Sequence, residues 1–309
     1  MVESCPWCGG MPVGEFQAHE RMFGLGDEFT YARCADCGSL WLLNIPRDLG
    51  RYYGARYYSM MSDARGSKPS FQASAWARLI LALPRSAKLR LAGRRGFPQY
   101  LLWFAGRRVR LNMRVADIGS GEGGMVSRLA RHGFSDVWGF DPFIAGDRDD
   151  GNAHYRKRSL SEKDGPLDII LFNHSLEHVP EPVQALRDAS GALADDGAII
   201  VRIPIARSYA DRRFGPHWVA LDAPRHLAIP SASGMAVAAH AAGLRLERTF
   251  YDSQPLQFWG SQNYQRGVSL LNQPRLPPTQ ERRLRAHAED LNRAQDGDNA
   301  GFVLTRLPS

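Results

Sequence analysis

The sequence predicts an α/β fold built on a sheet of seven strands, with a small cysteine-rich ribbon in front of it. Three observations lead to this prediction. A strand, a glycine-rich turn and a helix follow one another between Arg114 and His132. Short apolar runs then alternate with helical segments, which is typical of a largely parallel sheet. Two Cys-x-x-Cys pairs lie within the first 37 residues, at a spacing typical of a metal-binding ribbon.

The composition is that of a globular protein. The chain has 309 residues, of which 44% are hydrophobic and 23% charged, and this excludes a disordered or fibrous protein. The length suits one large α/β domain with a small attachment, or two modest domains. No apolar run approaches the ~20 residues of a membrane span, and the first residues lack the pattern of a secretory leader. We therefore expect a cytoplasmic protein.

The first element is the ribbon, over residues 1–45. Its two Cys-x-x-Cys pairs, each followed by glycine, are formed by Cys5, Cys8, Cys34 and Cys37. Two such knuckles place four thiolates at the corners of a tetrahedron, which is the coordination that Zn²⁺ prefers. Two disulfides or four unrelated thiols are the alternatives, and a cytoplasmic location disfavours disulfides. Because four thiolates leave the metal no open position, the zinc is predicted to be structural.

A basic, mainly helical connector over residues 46–112 comes next. Apolar residues recur at helical spacing from Trp76 to Ala87, and Pro98 opens a second helix. Twelve basic residues and no acidic one stand in the segment 64–116, so its charge exceeds the net charge of +7 of the whole chain. A solvated helical face is the simple interpretation. A phosphate-bearing acceptor, or an anionic membrane surface that the protein would contact peripherally, is the alternative.

The α/β domain is predicted over residues 113–309, with an insertion at 204–230. Its seven strands, in chain order, are 115–118, 137–140, 154–157, 168–173, 198–203, 244–250 and 301–306. Helices are predicted after the first strand, from Pro182, and before Gly243. A long excursion separates the last strand from the one before it.

The glycine-rich turn after the first of these strands indicates a nucleotide-like ligand. It fits the dinucleotide pattern G-x-G-x-x-G from Gly119 to Gly124 and equally the D-x-G-x-G-x-G pattern from Asp117 to Gly123, which is typical of S-adenosylmethionine sites. Asp117 favours the second ligand, because a pyrophosphate needs an uncluttered helix N-terminus whereas S-adenosylmethionine carries an ammonium and a sulfonium. Asp141 ends the next strand, at the interval where an acidic residue binds ribose hydroxyls.

These motifs resemble those of class I S-adenosylmethionine-dependent methyltransferases, specifically the small-molecule group with an N-terminal zinc ribbon. The matching segments are Asp117-Ile118-Gly119-Ser120-Gly121-Glu122-Gly123, Gly139-Phe140-Asp141, Leu176-Glu177-His178-Val179 and Asp222-Ala223-Pro224-Arg225-His226-Leu227. The resemblance implies a Rossmann-like sheet in which the final strand inserts antiparallel. This sequence departs mildly from the family pattern at Ser120, where members of the family frequently have a cysteine.

The resemblance also implies which residues bind the methyl donor. Asp141 would hold the ribose, Leu160 would flank the adenine, and Asn173 would face the methionine moiety. The aromatic pairs that include Tyr53 and Tyr57 resemble the segment that closes over the donor. The full implied set is Tyr57, Asp117, Gly119, Ser120, Gly121, Asp141, Leu160 and Asn173.

Methyl transfer to a hydroxyl or a carbon acid requires a base close to the acceptor. Reacting groups in an open α/β sheet lie beyond the carboxyl ends of the strands, which selects the segment after the fourth strand and the insertion. His178 and His226 are the predicted bases, and a capping or core role is the alternative for His178. Glu177, His217 and Arg225 are predicted on the acceptor side, Arg225 because its guanidinium suits a phosphate or a carboxylate.

The resemblance is strongest to methyltransferases of polysaccharide, lipopolysaccharide and secondary-metabolite assembly. The predicted acceptor is therefore a hydroxyl or a carbon of a sugar or glycoconjugate precursor. Relatives that methylate sugar carbon carry Glu-His where this chain has Arg225-His226, so hydroxyl methylation is at least as well supported. An RNA methyltransferase is the first alternative, although the motif for base amines does not follow the fourth strand. A non-catalytic interaction protein that keeps the fold is the second.

Overall fold

The computed structural model describes residues 3–54, 68–91 and 97–308. Tyr57, predicted to bind the donor, and Arg65, Arg94 and Arg95 of the basic segment lie outside these ranges. The chain divides into two compact units. We call them the ribbon unit, with residues up to 54, 174–190 and 201 onward, and the glycine-loop unit, which contains the described residues between 68 and 173 together with 191–200.

The strands and helices have the following bounds. The strands are β1 (Pro12–His19), β2 (Glu28–Cys34), β3 (Leu40–Leu42), β4 (Arg114–Ile118), β5 (Asp136–Phe140), β6 (Arg148–Asp150), β7 (Ala153–Arg156), β8 (Leu167–Asn173), β9 (Leu193–Pro204), β10 (Ala228–Ile229), β11 (Leu244–Tyr251) and β12 (Asn299–Arg306). The α-helices are α1 (Phe71–Ala82), α2 (Arg85–Leu91), α3 (Gly124–Arg131), α4 (Pro182–Ala192), α5 (Tyr209–Phe214), α6 (Ala232–Ala241), α7 (Leu256–Gln265) and α8 (Pro278–Arg293). In the described ranges, no helix is long and apolar enough to cross a membrane.

Parallel strands form the centre of the glycine-loop unit. β4 lies between β5 and β8 and runs parallel to both, with Val115 opposite Val137 on one side and Ile169 on the other. β7 extends the sheet parallel to β5. β8 is almost entirely buried, as expected for a parallel strand that is covered on both faces. The carboxyl ends of β4, β5 and β8 therefore meet at one edge of the sheet.

The prediction of seven strands is wrong by one. The seven predicted strands are present, but among the described residues the larger sheet has eight strands, because β6 pairs antiparallel with β7. β6 has three residues, all exposed or partly exposed, so no apolar pattern marks it in the sequence. Gly151, with a φ of 62°, allows the chain to turn back onto β7 directly after β6.

The α1 helix buries less of its apolar face than its periodicity predicts. Ser70 caps its first turn by accepting a hydrogen bond from the Ala73 amide. Ala77 and Ile80 are fully buried, whereas Leu79 is 52% exposed. Helical spacing therefore predicted the element correctly but overstated the width of its buried stripe.

The ribbon unit contains an antiparallel sheet of four strands in the order β1-β2-β3-β10. Its fourth strand comes from the predicted insertion: Ala228 pairs with Trp41, and Ile229 pairs with Leu40. The insertion therefore completes the sheet of the ribbon. The same unit contains the last two strands of the chain, β11 and β12, which pair antiparallel as the resemblance implies.

Side chains reinforce the union of the ribbon and the insertion. Arg33 donates two hydrogen bonds to the Asp211 carboxylate, at 3.0 and 2.8 Å. Tyr31, Leu40 and Trp218 pack in one apolar cluster, and each is at most 1% exposed. The strands of the ribbon are therefore part of the core that supports the residues of the insertion.

Candidate functional site

The glycine loop between β4 and α3 requires glycine at three positions. Gly119, Gly121 and Gly123 have φ values of 70°, 52° and 85°, a region that side chains disfavour. At Gly123 there is also no space, since a Cβ would lie 2.0 Å from a ring carbon of Tyr155. Gly124, in contrast, is the first residue of α3. The conformational requirement thus falls on the glycines of the D-x-G-x-G-x-G pattern, and not on the last glycine of the dinucleotide pattern.

Asp141 is held beside this loop by backbone amides. Its two carboxylate oxygens accept hydrogen bonds of 2.8 Å from the amides of Gly121 and Phe143. The side chain is buried, with 8% of its surface exposed. Its orientation is therefore fixed before any ligand binds, which reduces the entropy cost of binding.

Asp117 carries an electrostatic penalty. It is 4% exposed, and burial together with the nearby Asp141 carboxylate raises its pKa to about 8. Two acidic groups that share a buried place cannot both ionise easily. A ligand with an ammonium and a sulfonium would offset this repulsion, so the residues present fit S-adenosylmethionine.

The other described residues that are implied in donor binding occupy the same unit. Asn173 is the last residue of β8, at the carboxyl edge of the sheet. Leu160 is buried, with 7% of its surface exposed. The hydroxyl of Ser120 lies where a side chain on Gly139 would stand, since a Cβ there would be 2.8 Å from it. Ser120 therefore lies tightly against β5.

A second group of functional side chains lies in the ribbon unit and consists of Glu177, His178 and His226. One nitrogen or oxygen of each lies within 4.8 Å of those of the other two. The two imidazole rings meet edge to face with 4.8 Å between their centroids, and His226 Nε2 lies 3.8 Å from Glu177 Oε1. The fold thus brings together one predicted acceptor-side residue and both predicted bases. We call these three residues the histidine cluster.

Backbone carbonyls fix the tautomers of both histidines. His226 Nδ1 lies 2.8 Å from the Ala220 carbonyl, and His178 Nδ1 lies 2.8 Å from the Arg225 carbonyl. A carbonyl oxygen only accepts, so each Nδ1 carries the proton. Each neutral ring therefore keeps a lone pair on Nε2. His226 Nε2 is buried and has no hydrogen-bond partner among the described residues.

The carboxylate of Glu177 is buried and ionised. Its side chain is fully buried, and Oε1 accepts a hydrogen bond of 3.3 Å from His174 Nδ1. Burial alone would raise its pKa, but that hydrogen bond and the nearby His178 and His226 lower it to about 2. Its second oxygen, Oε2, finds no partner in the described part of the chain.

Tyr53 contacts the histidine cluster, a role that its sequence context did not indicate. The resemblance placed it in the segment that closes over the donor. Its hydroxyl lies 2.9 Å from His178 Nδ1 and donates a longer bond of 3.4 Å to the Arg225 carbonyl. Only the three-dimensional contact, across 125 residues of sequence, identifies this role.

Arg225 has an internal role in place of the predicted contact with an anionic acceptor. Its side chain is fully buried. The guanidinium donates to Asp222 at 2.6 and 2.9 Å, to Glu20 at 2.9 Å and to the Tyr52 carbonyl at 3.0 Å. The guanidinium N–H groups that could bind a phosphate are thus directed at carboxylates of the protein itself. Glu20 was not predicted to take part in the site, because a single glutamate in the ribbon carries no local signal.

His217 stands apart from the histidine cluster. It is half-buried, and its Nε2 lies 3.4 Å from Arg21 Nη2. Burial and the Arg21 charge lower its pKa. The ring is thus close to a cation and stays neutral at neutral pH.

The ribbon holds the backbone at His226 and at the residue that follows it. The Tyr31 hydroxyl donates to the His226 carbonyl at 2.8 Å, and the Leu42 amide donates to the Leu227 carbonyl at 2.8 Å. The β3–β10 pairing begins at the next residue, Ala228. The position of the His226 ring therefore depends on strands of the ribbon.

The four cysteines are free thiols that converge on one point. Sulfur–sulfur distances are 3.7 Å for Cys5–Cys37, 3.4 Å for Cys8–Cys34 and 3.3 Å for Cys8–Cys37. Four sulfurs that each lie ~2.3 Å from a tetrahedral Zn²⁺ are about 3.8 Å apart. The donor set and its spacing therefore fit zinc. Sequence spacing was sufficient to identify this group.

Part of the basic segment is engaged within the glycine-loop unit. Arg107 donates to the Asp196 carbonyl at 2.6 Å, and Arg114 pairs with Asp136 at 3.0 Å. Lys88 is 2% exposed, and burial lowers its pKa. Some of the twelve predicted surface cations thus support the fold.

Comparison with known proteins identifies a domain family for part of the chain. A family model described as a methyltransferase domain matches residues 75–249, more than half of the chain. No curated protein matches the sequence significantly. The solved structures to which the chain is similar include the cyclopropane synthase MmaA2 from Mycobacterium tuberculosis, with 14% identity, a TM-score of 0.42, and coverage of 70% of this chain and 88% of that chain.

Two further solved structures are similar at the same level. An S-adenosylmethionine-dependent methyltransferase from Mesorhizobium loti has 16% identity and a TM-score of 0.43, and the match covers 70% of this chain and 100% of that chain. The mitomycin 7-O-methyltransferase MmcR has 13% identity and a TM-score of 0.37, and the match covers 77% of this chain and 68% of that chain.

The raised pKa of Asp117 predicts how stability depends on pH. The folded protein holds the Asp117 proton up to about pH 8, whereas the unfolded chain releases it near the ordinary value of 3.8. The burial of Asp117 therefore lowers stability progressively as pH rises from about 4 to 8. Asp117→Asn, which stays neutral, is expected to raise the unfolding temperature of the ligand-free protein at pH 9 more than at pH 5. Thermal unfolding followed by circular dichroism measures this difference.

The exposed Asp196 provides the control for this comparison. Asp196→Asn is expected to change the unfolding temperature equally at both pH values. An Asp117→Asn protein whose advantage is the same at pH 5 and pH 9 would show that Asp117 does not titrate between these values in the folded protein, which contradicts the prediction.

Proposed function

The chain belongs to the family defined by this methyltransferase domain and is an S-adenosylmethionine-dependent methyltransferase, and from this premise we propose that it methylates a hydroxyl of a sugar or glycoconjugate precursor. The observation that carries the proposal is the buried lone pair of His226 Nε2, which has no partner among residues 3–54, 68–91 and 97–308. Such an atom is suited to receive the proton of an acceptor hydroxyl.

The histidine cluster supplies the parts of a general base. His226 Nε2 accepts the hydroxyl proton while its Nδ1–H, bonded to the Ala220 carbonyl, keeps the ring in place. The resulting imidazolium is stabilised by the Glu177 carboxylate, whose oxygen lies 3.8 Å from Nε2. His178 is the second candidate base and is oriented in the same way by the Arg225 carbonyl. The proton then passes to solvent after the methylated product leaves.

The glycine loop unit supplies the donor residues of the proposal. S-adenosylmethionine, when bound, provides a methyl group already activated by its sulfonium. Asp141 would bind the ribose hydroxyls. The positive charge of the bound donor would favour the ionised form of Asp117, which would then offset that charge. Asn173 would face the methionine moiety. Glu177 follows Asn173 by four positions in the sequence.

The choice of oxygen over carbon rests on Arg225. Relatives that methylate sugar carbon carry a glutamate at this position, and here an arginine occupies it with its guanidinium turned inward onto Asp222 and Glu20. Position 225 thus contributes no carboxylate to the site, and a hydroxyl needs only one base. The basic segment 64–116 favours an acceptor that carries phosphate, such as a nucleotide-linked or lipid-linked sugar.

The acceptor class is tested by turnover with a labelled donor. A panel of nucleotide-linked sugars, lipid-linked sugars and RNA is offered to the purified protein. We expect product with a sugar acceptor and the label on oxygen. Product with RNA alone would establish a nucleic-acid methyltransferase, and donor binding without any product would favour an interaction protein that keeps the fold.

Removal of the base should reduce turnover without reducing donor affinity. We expect His226→Ala to lower turnover by about 100-fold or more. The affinity for S-adenosylhomocysteine, measured by calorimetry, should stay within a few-fold because the donor residues are unchanged. His240→Ala, which removes an exposed histidine at the end of α6, is the control and should keep full activity. Normal turnover in both His226→Ala and His178→Ala would exclude the cluster as the base.

Removal of the proposed ribose-binding carboxylate should weaken donor binding. We expect Asp141→Ala to weaken S-adenosylhomocysteine binding by about 1.5–3 kcal/mol, the value of a hydrogen bond to a charged group. Calorimetry measures the loss, with the exposed Asp196→Ala as the unaffected control. Binding of NADH in place of S-adenosylhomocysteine would contradict the assignment of the glycine loop.

We also infer that the four cysteines bind one structural zinc ion. Elemental analysis of the purified protein should give about one zinc per chain. Because the ribbon holds the His226 backbone through Tyr31 and Leu42, Cys34→Ser should lower turnover as well as stability. Donor affinity should change less than turnover. A metal-free preparation of equal stability would overturn the inference.

A further inference from the structure

We propose that the histidine cluster also binds one divalent transition-metal ion, at a site distinct from the four cysteines. Two imidazoles and one carboxylate form a ligand set that Zn²⁺, Co²⁺ and Fe²⁺ all accept. Three protein ligands leave at least one coordination position open. The cysteine group, with four sulfurs, leaves none, so the two sites differ in both ligand type and openness.

The distances require only a modest contraction. The candidate ligand atoms lie within 4.8 Å of one another, and His226 Nε2 and Glu177 Oε1 are already 3.8 Å apart. Ligands at ~2.1 Å from a tetrahedral ion are about 3.4 Å apart. Shifts of roughly 1 Å at the tips of the side chains therefore close the site.

Unsatisfied atoms in the cluster favour a ligand. Glu177 Oε2 and His226 Nε2 are both buried and lack hydrogen-bond partners across the described ranges. Leaving a buried acceptor unpaired costs about 1–3 kcal/mol each, and more for a charged group. A cation held between the Glu177 carboxylate and His226 Nε2 would give both groups a partner.

The neighbours of the cluster resemble those that orient metal ligands. Ligating histidines commonly donate their second ring N–H to a carbonyl, and His226 and His178 do so to Ala220 and Arg225. Glu177 in turn accepts a hydrogen bond from His174 through Oε1. Each candidate ligand thus already has the partner that would fix its orientation.

The charge around the histidine cluster and its exposure to solvent also suit a metal ion. The Asp222 carboxylate lies 3.9 Å from His226 Nε2 and adds negative potential, although Arg225 neutralises part of it. His178 is only half-buried, so the cluster reaches solvent on the side of this ring. An ion can therefore enter without unfolding of the ribbon.

The consequence for the enzyme is inhibition. A metal ion would coordinate the Nε2 lone pair that His226 needs as a base. Metal binding and proton abstraction therefore exclude each other at this residue. The metal site does not depend on methyl transfer, since the ion can be titrated with neither donor nor acceptor present.

The test is a titration with Co²⁺, followed by visible absorption, of full-length protein whose cysteine site has first been filled with zinc. We expect one further equivalent of Co²⁺ with the d–d bands of nitrogen and oxygen ligands and without sulfur charge-transfer bands. Glu177→Gln and His226→Ala should each weaken this binding by at least 10-fold, while His240→Ala should not. Thermal unfolding of each variant verifies that it is folded.

Two results would overturn the proposal. One is that the zinc-loaded protein binds no Co²⁺, and the other is that the wild type and His226→Ala bind Co²⁺ with equal affinity. A turnover assay provides the second readout. Addition of Co²⁺ should reduce activity in proportion to occupancy of the site, and activation by Co²⁺ would contradict the inhibitory role. Co²⁺ binding by a protein that methylates nothing in the acceptor panel would contradict the proposed function alone.

Discussion

The Arg225 guanidinium is the charge on which the arrangement of the ribbon unit depends. It is fully buried and links three distant parts of the sequence: Glu20 in the ribbon, the Tyr52 carbonyl, and Asp222 in the insertion. Burial of these charges is costly, and complete pairing offsets that cost only when every partner is in place. The Arg225 carbonyl accepts from His178, so the same residue that joins these segments also orients one of the two histidines. Specific alignment, more than net stability, is what such a buried ion cluster provides.

Two sets of side chains, the acids beside the glycine loop and the histidine cluster, contain charges or polar atoms that lack a partner among the described residues of the ligand-free protein. In the glycine-loop unit, Asp117 and Asp141 place two acids in a buried environment, and a cationic ligand would relieve their repulsion. In the ribbon unit, Glu177 and His226 leave an oxygen and a nitrogen unsatisfied. A fold optimised only for stability would remove both imbalances, because each raises the free energy of the ligand-free state.

Local sequence patterns predicted a large part of this molecule. The glycine loop, the cysteine pairs and the seven main strands each depend on residues close together in the chain. The loop and the pairs have a motif spacing, and the strands have an apolar pattern, that can be recognised locally. Three features escaped: the short exposed strand β6, the contact of Tyr53 with His178, and the inward direction of Arg225. Each is decided by tertiary contacts, and Arg225 meets Glu20 across 205 residues. A basic side chain beside a histidine has the same local pattern whether it faces a substrate or the interior.

The pairing of β3 with β10 has a consequence for work with shortened chains. The ribbon sheet shares its fourth strand with the insertion, and the Ser231 hydroxyl at the start of α6 donates to the Cys37 carbonyl at 2.5 Å. A truncation that starts after the ribbon would expose the backbone edge of β10 and the apolar surface around Trp218 and Ile229. Exposed strand edges next to apolar surface promote association between molecules. A ribbonless protein would therefore be an aggregating fragment and not a minimal catalytic core, even though the ribbon looks dispensable from its length alone.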